Sequence, residues 1–233
     1  MKKQQHLVEV FLASALHEAK NQIGALRISV MDALESAHIV PTTSQSTRID
    51  HQLDTISRLL SQVLMQYRCS QHNYHIHTDE VYLEDFFEEL IERLTPSLSA
   101  MDARLVLEGQ AFTPVFIDEQ LMNNVMDTLI WNAVNAGARS IHLSCDSNKL
   151  STNNAIPYVQ IHIDDNGPGF PPHLLEQPLD EFKPSDARES KTGLGLYFAN
   201  SILAAHRHKN HSGYITLANH TETPGARVTL FIP

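Results

Sequence analysis

Asp165 stands in the run YVQIHIDDNGPGF, where Val159, Ile161 and Ile163 share one face of an alternating strand and Asp165 continues the same parity. That places a carboxylate on the core side at the strand's end, where an ionised group is costly unless donors meet it. Gly167 and Gly169 follow at once and put no side chain between a ligand and the backbone. A buried acceptor beside open backbone suits a ligand with an N–H donor, such as the amino group of adenine. A turn with a capping Asp fits the same residues. Asn132 raises the same question on a helix, because it falls on the stripe of Leu121, Val125, Leu129 and Ala136. A buried amide without partners costs about 1–3 kcal/mol, so it bonds either nearby backbone or a ligand. The stretch KTGLGLYFANSILAAH sets Gly193 and Gly195 directly before a helix, where unpaired N–H groups bind phosphate. It is neither a Walker A loop nor a dinucleotide fingerprint. His17, in LHEAKNQIGAL, is a candidate nucleophile, since a neutral imidazole keeps a free lone pair at pH 7.

These groups need elements to hold them. Val8, Leu12, Ala15, Ala19, Ile23, Leu26, Val30 and Leu34 recur every three or four positions, a helical seam. Pro41 and a Ser/Thr cluster interrupt it, and a second seam runs through Ile49, Leu53, Ile56, Leu60, Val63 and Tyr67. Residues 1–72 are therefore expected to form a helical hairpin, and so long a seam either packs on the rest of its own chain or, as expected here, on a second copy, giving a four-helix bundle in a homodimer. His17 lies two positions from both Ala15 and Ala19, about 200° around the helix from each, and so points away from the seam. CSQHNYHIHTDE, without periodicity, reads as a linker. Residues 78–233 are mixed. LEDFFEELIERLTPSL, DEQLMNNVMDTLIWNAVNAGA (ending at Gly137) and GLYFANSILAAH read as helices. RLVLEG, SIHLSC, YVQIHID, GYITLAN and ARVTLFI read as strands, and SNKLSTNNAIP as a polar loop. The expected fold class is α+β: the hairpin, then a sandwich with a mixed sheet and helices on one face.

Composition narrows the function. The 233 residues carry a net charge of -10, which argues against a general nucleic-acid or anionic-membrane surface. No apolar run approaches the length of a membrane span, and no signal peptide opens the chain, so a cytoplasmic protein is expected. Cys69 and Cys145 have no paired spacing and read as reduced thiols. The histidines of HNYHIH and HRHKNH lie in loop-like stretches without acidic or Cys ligands and read as solvated.

Taken in order, an Asn in a helix, D-x-G-x-G after a strand and T-G-L-G-L opening a helix resemble the N, G1 and G2 boxes of the GHKL (Bergerat) ATP-binding fold found in bacterial histidine kinases. DEFKP stands where that family has its F box, with Phe182 as the aromatic, and GYITLANHTETPGARVTLFIP is similar to its final hairpin. ALHEAKNQIGAL is similar to the H box, H-E-x-x-N-P-L, of the HisKA-type dimerisation and phosphotransfer hairpin. The resemblance spans about residues 7 to 233.

The resemblance implies a soluble histidine kinase using ATP and Mg²⁺. The α/β domain would bind ATP, with Asp165 accepting from the adenine amine and Asn132 ligating the metal. Gly167, Gly169, Asn135, Thr192, Gly193, Leu194, Gly195 and Leu196 belong to the matching boxes, and Lys191 would contact a phosphate. His17 would attack the γ-phosphate, with Glu18 beside it to hydrogen-bond or take a proton. The phosphoryl group would then pass to an Asp of a response-regulator receiver domain. Asn21, on the same helix face as His17, would orient water for the reverse chemistry. Departures from the family pattern are Gln22 in place of Pro, Thr128 where the N box usually opens with Asn, Asn135 in place of a basic residue and Lys191 in place of the first Gly of the G2 box. Sixteen residues precede His17, too few for a sensory domain, so the input is expected from a separate upstream sensor protein. The alternatives are a kinase-inactive phosphotransfer or phosphatase scaffold, against which the intact glycine boxes speak, and a GHKL regulator that phosphorylates Ser, which would leave the H box without a role.

Overall fold

The computed structural model describes residues 76–109, 114–146, 158–176 and 193–233, without the side chains of 193 and 194. It also describes the isolated helical positions Ala19, Ile23, Gly24, Leu26, Ile28, Val30 and Ile56. The chain divides into two compact units, Met1–Tyr74 and His75–Pro233. In the first unit, Leu26 and Ile56, one from each seam, are 53% and 46% exposed. Ala19, Ile23 and Val30 of the first seam are half-buried, and the remaining seam residues lie outside the described residues.

The second unit is built on a five-stranded sheet of order β2-β4-β5-β9-β8. Its strands are β2 (Arg104–Leu107), β4 (Ser140–Asp146), β5 (Val159–Asp165), β8 (Tyr214–Asn219) and β9 (Ala226–Ile232). β2 runs parallel to β4 and every other neighbouring pair is antiparallel, the mixed sheet that the interspersed pattern predicts. Alternation decides the two faces. Leu143, Ile163 and Val228 are cross-strand neighbours and buried, as are Ile161 and Leu230. Asp165 continues that face between Ile141 and Ala226. The opposite face is polar except for a cluster of Tyr158, Tyr214 and Phe231. There Arg104 Nε donates to Ser140 Oγ (3.0 Å), which sits 2.9 Å from His142 Nε2, and His142 Nδ1 meets Glu108 Oε1 at 2.6 Å. Farther along, His162 Nδ1 lies 3.0 Å from Thr229 Oγ1.

Three long helices cover the apolar face. α1 (Leu83–Ser99) buries Leu83, Phe86, Phe87, Leu90, Leu94 and Leu98, spaced as one helical stripe. α2 (Glu119–Ala136) begins where the Asp118 carboxylate accepts the Leu121 N–H (3.0 Å) and ends at Gly137, whose φ of 111° few other residues tolerate. A short helix, α3 (Pro172–Leu175), follows β5. α4 (Gly193–Ala205) packs against α2, β8 and β9.

Two small antiparallel ribbons complete the unit and differ from the sequence reading: β1 (Asp79–Tyr82) with β3 (Pro114–Ile117), and β6 (Arg207–His208) with β7 (His211–Ser212). Asp79 and Glu80, expected in the linker, are strand residues because backbone pairing to β3 holds them without any apolar alternation. The helix expected from Gly195 begins at Gly193 instead, so both glycines lie inside its first turn rather than before it. The HRHKNH stretch is not a loop of solvated histidines throughout, since His206 is buried. Its Nδ1–H donates to the Ile202 carbonyl (2.9 Å) and its Nε2 accepts the Asp118 N–H (3.0 Å), tying the end of α4 to the start of α2.

Candidate nucleotide site

A cavity of about 140 Å³ opens between α2, α4 and the interior strands β5 and β9, far larger than the space one water needs. Its lining brings together Asn132 of α2, Asp165 of β5, Gly169 of the following turn and Leu196 of α4, drawn from three distant stretches of chain. The remaining wall is mostly apolar, from Leu129, Ala133, Ile163, Phe170 and Val228. An apolar pocket with a few convergent polar groups is the usual form of a small-molecule site.

Asp165 is the polar group of the sheet side. Its Oδ1 accepts the Gly167 N–H at 2.7 Å. Burial pushes its carboxyl above the ordinary carboxylate range, and the backbone donors of Gly167 and Ala226 and the nearby His220 offset only part of that. A ligand N–H reaching Asp165 would supply what burial removes. Asn132 is the polar group of the helix side. Its Nδ2 is buried without a hydrogen-bond partner among the described residues. The bond to nearby backbone that would have made Asn132 a plain core residue is therefore missing for this atom. Thr128, one turn earlier, donates its hydroxyl to the Asn124 carbonyl at 2.7 Å.

The glycines serve the packing of the site more than open access to it. A Cβ at Gly167 would lie 2.9 Å from Asp165 Oδ1, so this glycine lets the carboxylate fold back over the turn; Gly167 itself does not line the cavity. Gly169 has φ +85°, and a Cβ there would meet the Asn219 carboxamide at 2.9 Å. A Cβ at Gly195 would come within 2.7 Å of Asn132 Nδ2 and 3.1 Å of Thr128 Cγ2, so this glycine brings α4 onto α2. The first N–H groups of α4 have no partner within the helix and remain suited to an anion. Asn135 is exposed and off the cavity wall. His17, Glu18, Asn21, Phe182, Lys191 and Thr192 lie outside the described residues, and Gly193 and Leu194 are described in their backbone only.

The donor set fits magnesium in the way nucleotide sites hold it. Among the described residues no group of three His, Cys, Asp or Glu side chains could hold a metal by itself. Mg²⁺ takes oxygen ligands and is commonly bound through one or two protein groups plus phosphate oxygens. The Asn132 carboxamide supplies one such oxygen, while its unpartnered Nδ2 can donate to a phosphate.

Sequence reasoning missed Asn166 and Asn219. Asn166 Oδ1 accepts the N–H groups of Arg139 (2.8 Å) and Ser140 (2.9 Å) and so fixes the turn after β5 to the start of β4. Asn219 holds the far end of that turn. It has the same parity on β8 as Ile215 and Leu217, the signal that singled out Asp165 on β5.

Residues 117–233 match the family model described as histidine kinase-, DNA gyrase B-, and HSP90-like ATPase. The chain is 24% identical over 209 residues to the adaptive-response sensory kinase SasA of Microcystis aeruginosa, covering 84% of this chain and 52% of the relative. It is 25% identical to the sensor protein BasS of Salmonella typhimurium, covering 96% of this chain and 59% of the relative. It thus spans between half and three-fifths of the length of these relatives. Among solved structures, full-length ShkA in complex with AMPPNP superposes with a TM-score of 0.62 at 19% identity, covering 95% of this chain and 45% of that one. The histidine kinase ThkA in complex with the response regulator protein TrrA gives a TM-score of 0.57 at 17% identity, covering 100% and 63%. Among the described residues no helix is long and apolar enough to cross a membrane.

Proposed function

We propose, from the premise that the chain belongs to the family of histidine kinase-, DNA gyrase B- and HSP90-like ATPases, that it is an ATP-dependent protein-histidine kinase of two-component signalling. The observation that carries the reading is the shared cavity of Asn132 and Asp165. One is a buried amide lacking a partner for Nδ2 and the other a carboxyl held up by burial, on opposite walls of a mostly apolar pocket. Adenine enters the apolar part and donates its amino N–H to Asp165. The phosphates extend toward Asn132 and the first turn of α4. Mg²⁺, when bound, neutralises phosphate charge, with the Asn132 carboxamide oxygen as its protein ligand. Names of relatives support this reading: SasA is a sensory kinase, and the ShkA chain was solved with AMPPNP.

His17 is the acceptor of the γ-phosphoryl group. A ring nitrogen lone pair forms the new N–P bond, ADP leaves, and Glu18 takes or holds the ring proton. Positioning and charge neutralisation supply most of such a transfer. The phosphoryl group then moves to an Asp of a receiver domain, a partner supported by the ThkA chain solved with a response regulator protein. Homodimerisation through residues 1–72 is supported by the exposure of Leu26 and Ile56 on the two seams. In this reading Lys191 contacts a phosphate, Thr192 and the Gly193–Leu194 backbone belong to the phosphate-binding box, and Phe182 is the aromatic of the F box.

Incubation with Mg²⁺ and γ-labelled ATP tests it. Wild type should take up an acid-labile, alkali-stable label, whereas His17→Gln and Asn132→Asp should not. Label that persists on His17→Gln removes His17 from its role. Nucleotide binding without any label leaves a receiver-directed phosphatase, through Asn21, as the reading that survives.

A further inference from the structure

The turn after β5 forms the cavity wall through Pro168, Gly169 and Phe170, and side chains outside it set its shape. At the far end stands Asn219, the last residue of the edge strand β8. Its Oδ1 accepts the Phe170 N–H at 2.7 Å and its Nδ2 donates to the Phe170 carbonyl at 2.9 Å. One planar group thus holds both backbone polar groups of a single residue and fixes the peptide planes on either side of it. Gly169 completes the fit, because its positive φ and missing Cβ let the carboxamide lie against the backbone. At the near end, Asn166 ties the same turn to β4.

We propose that Asn219 is a positioning residue that sets the affinity of the cavity for nucleotide by holding the Gly169–Phe170 backbone in its cavity-lining conformation. This rests on the nucleotide reading of the cavity. A carboxamide is the side chain that offers a donor and an acceptor at this reach. Asp accepts but cannot donate and would set a negative charge against the Phe170 carbonyl, and Ala does neither. Asn219 is exposed, so replacing it leaves the core intact. Without the clamp the turn samples other conformations, and apparent affinity falls by the fraction of time the wall is formed. The bound complex is unaltered, so the maximal rate is unaltered. Two hydrogen bonds of ordinary net strength correspond to about a tenfold change in affinity.

The test uses the full chain with Mg²⁺ and AMPPNP for equilibrium binding, Mg²⁺-ATP for autophosphorylation kinetics, and thermal melting of the empty protein. Asn219→Ala should raise both Kd and KM about tenfold, keep the maximal rate within about twofold and lower the empty protein's melting temperature by only a few degrees, with a cooperative transition retained. Asn219→Asp should also weaken binding. Gly169→Ala should weaken it too, and by a smaller factor in the Asn219→Ala background, where no carboxamide stands against the added methyl. If wild type binds nucleotide and Asn219→Ala binds it equally well, the positioning role is wrong and the nucleotide reading stands. If the maximal rate falls along with affinity, or the empty protein loses its cooperative melting transition, Asn219 is merely structural. If wild type binds no nucleotide, the failure belongs to the reading of the cavity.

Discussion

Asp164 and Asp165 are neighbours on β5, and the pleat turns them to opposite faces of the sheet, where their surroundings differ completely. On the polar face, Asp164 receives Nε and Nη2 of Arg227 at 2.7 and 3.0 Å and has His220 Nε2 at 3.3 Å. On the apolar face, Asp165 has Ile141 and Ala226 as cross-strand neighbours and backbone donors from Gly167 and Ala226. The contrast recurs on the helices. Buried His206 uses both ring nitrogens, whereas Asn132 leaves Nδ2 without a partner among the described residues. Asp164 and His206, whose needs are met within the chain, stand off the cavity wall, whereas Asn132, with Nδ2 unpartnered among the described residues, and Asp165, whose carboxyl burial raises, line it. A fold retains an unmet buried group at a cost in stability, so the unpartnered Asn132 Nδ2, sharing a cavity with the raised carboxyl of Asp165, marks the place where something else completes the set.

That comparison can be broken at either kind of residue. The largest effect is expected at Asp165→Asn, which should weaken nucleotide binding about a hundredfold, because a charged acceptor in a mostly apolar pocket is lost. The empty protein should melt no lower than wild type. The folded-state pKa of Asp165 is raised, so its ionised form costs stability at neutral pH, and a neutral amide removes that cost. Binding titration and thermal melting of one preparation check both halves.

A smaller effect is expected at the satisfied group of the helices. His206→Leu leaves the Asp118 N–H and the Ile202 carbonyl without their partner and should cost about 2 kcal/mol at pH 7.5 by denaturant unfolding. Burial lowers the folded pKa of His206 below the ordinary 6.5, so the unfolded chain takes up the proton first. Its stabilising effect is whole above pH 6.5 and declines as pH falls below that value. The stability of wild type should therefore drop on acidification. The His206→Leu variant should show a shallower slope, with His162, whose pKa burial also lowers, supplying the remainder. The smallest effect is expected at Asp164→Asn. It breaks a partly exposed Arg227 pair, should cost about 1 kcal/mol and should leave nucleotide affinity within about twofold of wild type. An Asp164 variant that lost nucleotide as Asp165→Asn does would erase the distinction between the faces.

Much of this was legible in the residues because the period of a strand or helix assigns sides. Asp165 and Asn132 were found as polar residues on apolar faces, and β9 was read to its end residues because ARVTLFI alternates throughout. Asn219 obeys the same rule and escaped, since Asn before HTETPG is equally a turn residue. The β1–β3 ribbon escaped because backbone pairing leaves no pattern in DEVY and PVFI. The glycines are explained incompletely by the sequence, and Gly193 and Gly195 lie inside the helix that they are expected to precede. What a missing Cβ makes room for depends on the facing element, Asn219 for Gly169 and α2 for Gly195, and no local spacing announces a partner fifty or sixty residues away. The histidine end of the proposed reaction lies outside the described residues, so it rests on the H box resemblance.

The β8–β9 hairpin joins two parts of the cavity. Asn219, which grips the turn, pairs across the hairpin with Ala226, which lines the cavity floor, and the His220 N–H closes the connection onto the Gly225 carbonyl at 3.1 Å. Side chains on paired strands alternate, so a one-residue slip would turn a strand's inward set outward. The final hairpin therefore acts as a ruler. Gly225 within it cannot take a side chain, because its φ is +150° and a Cβ there would strike the Asp165 carbonyl, so the site inherits a constraint at a place where surface loops normally have none.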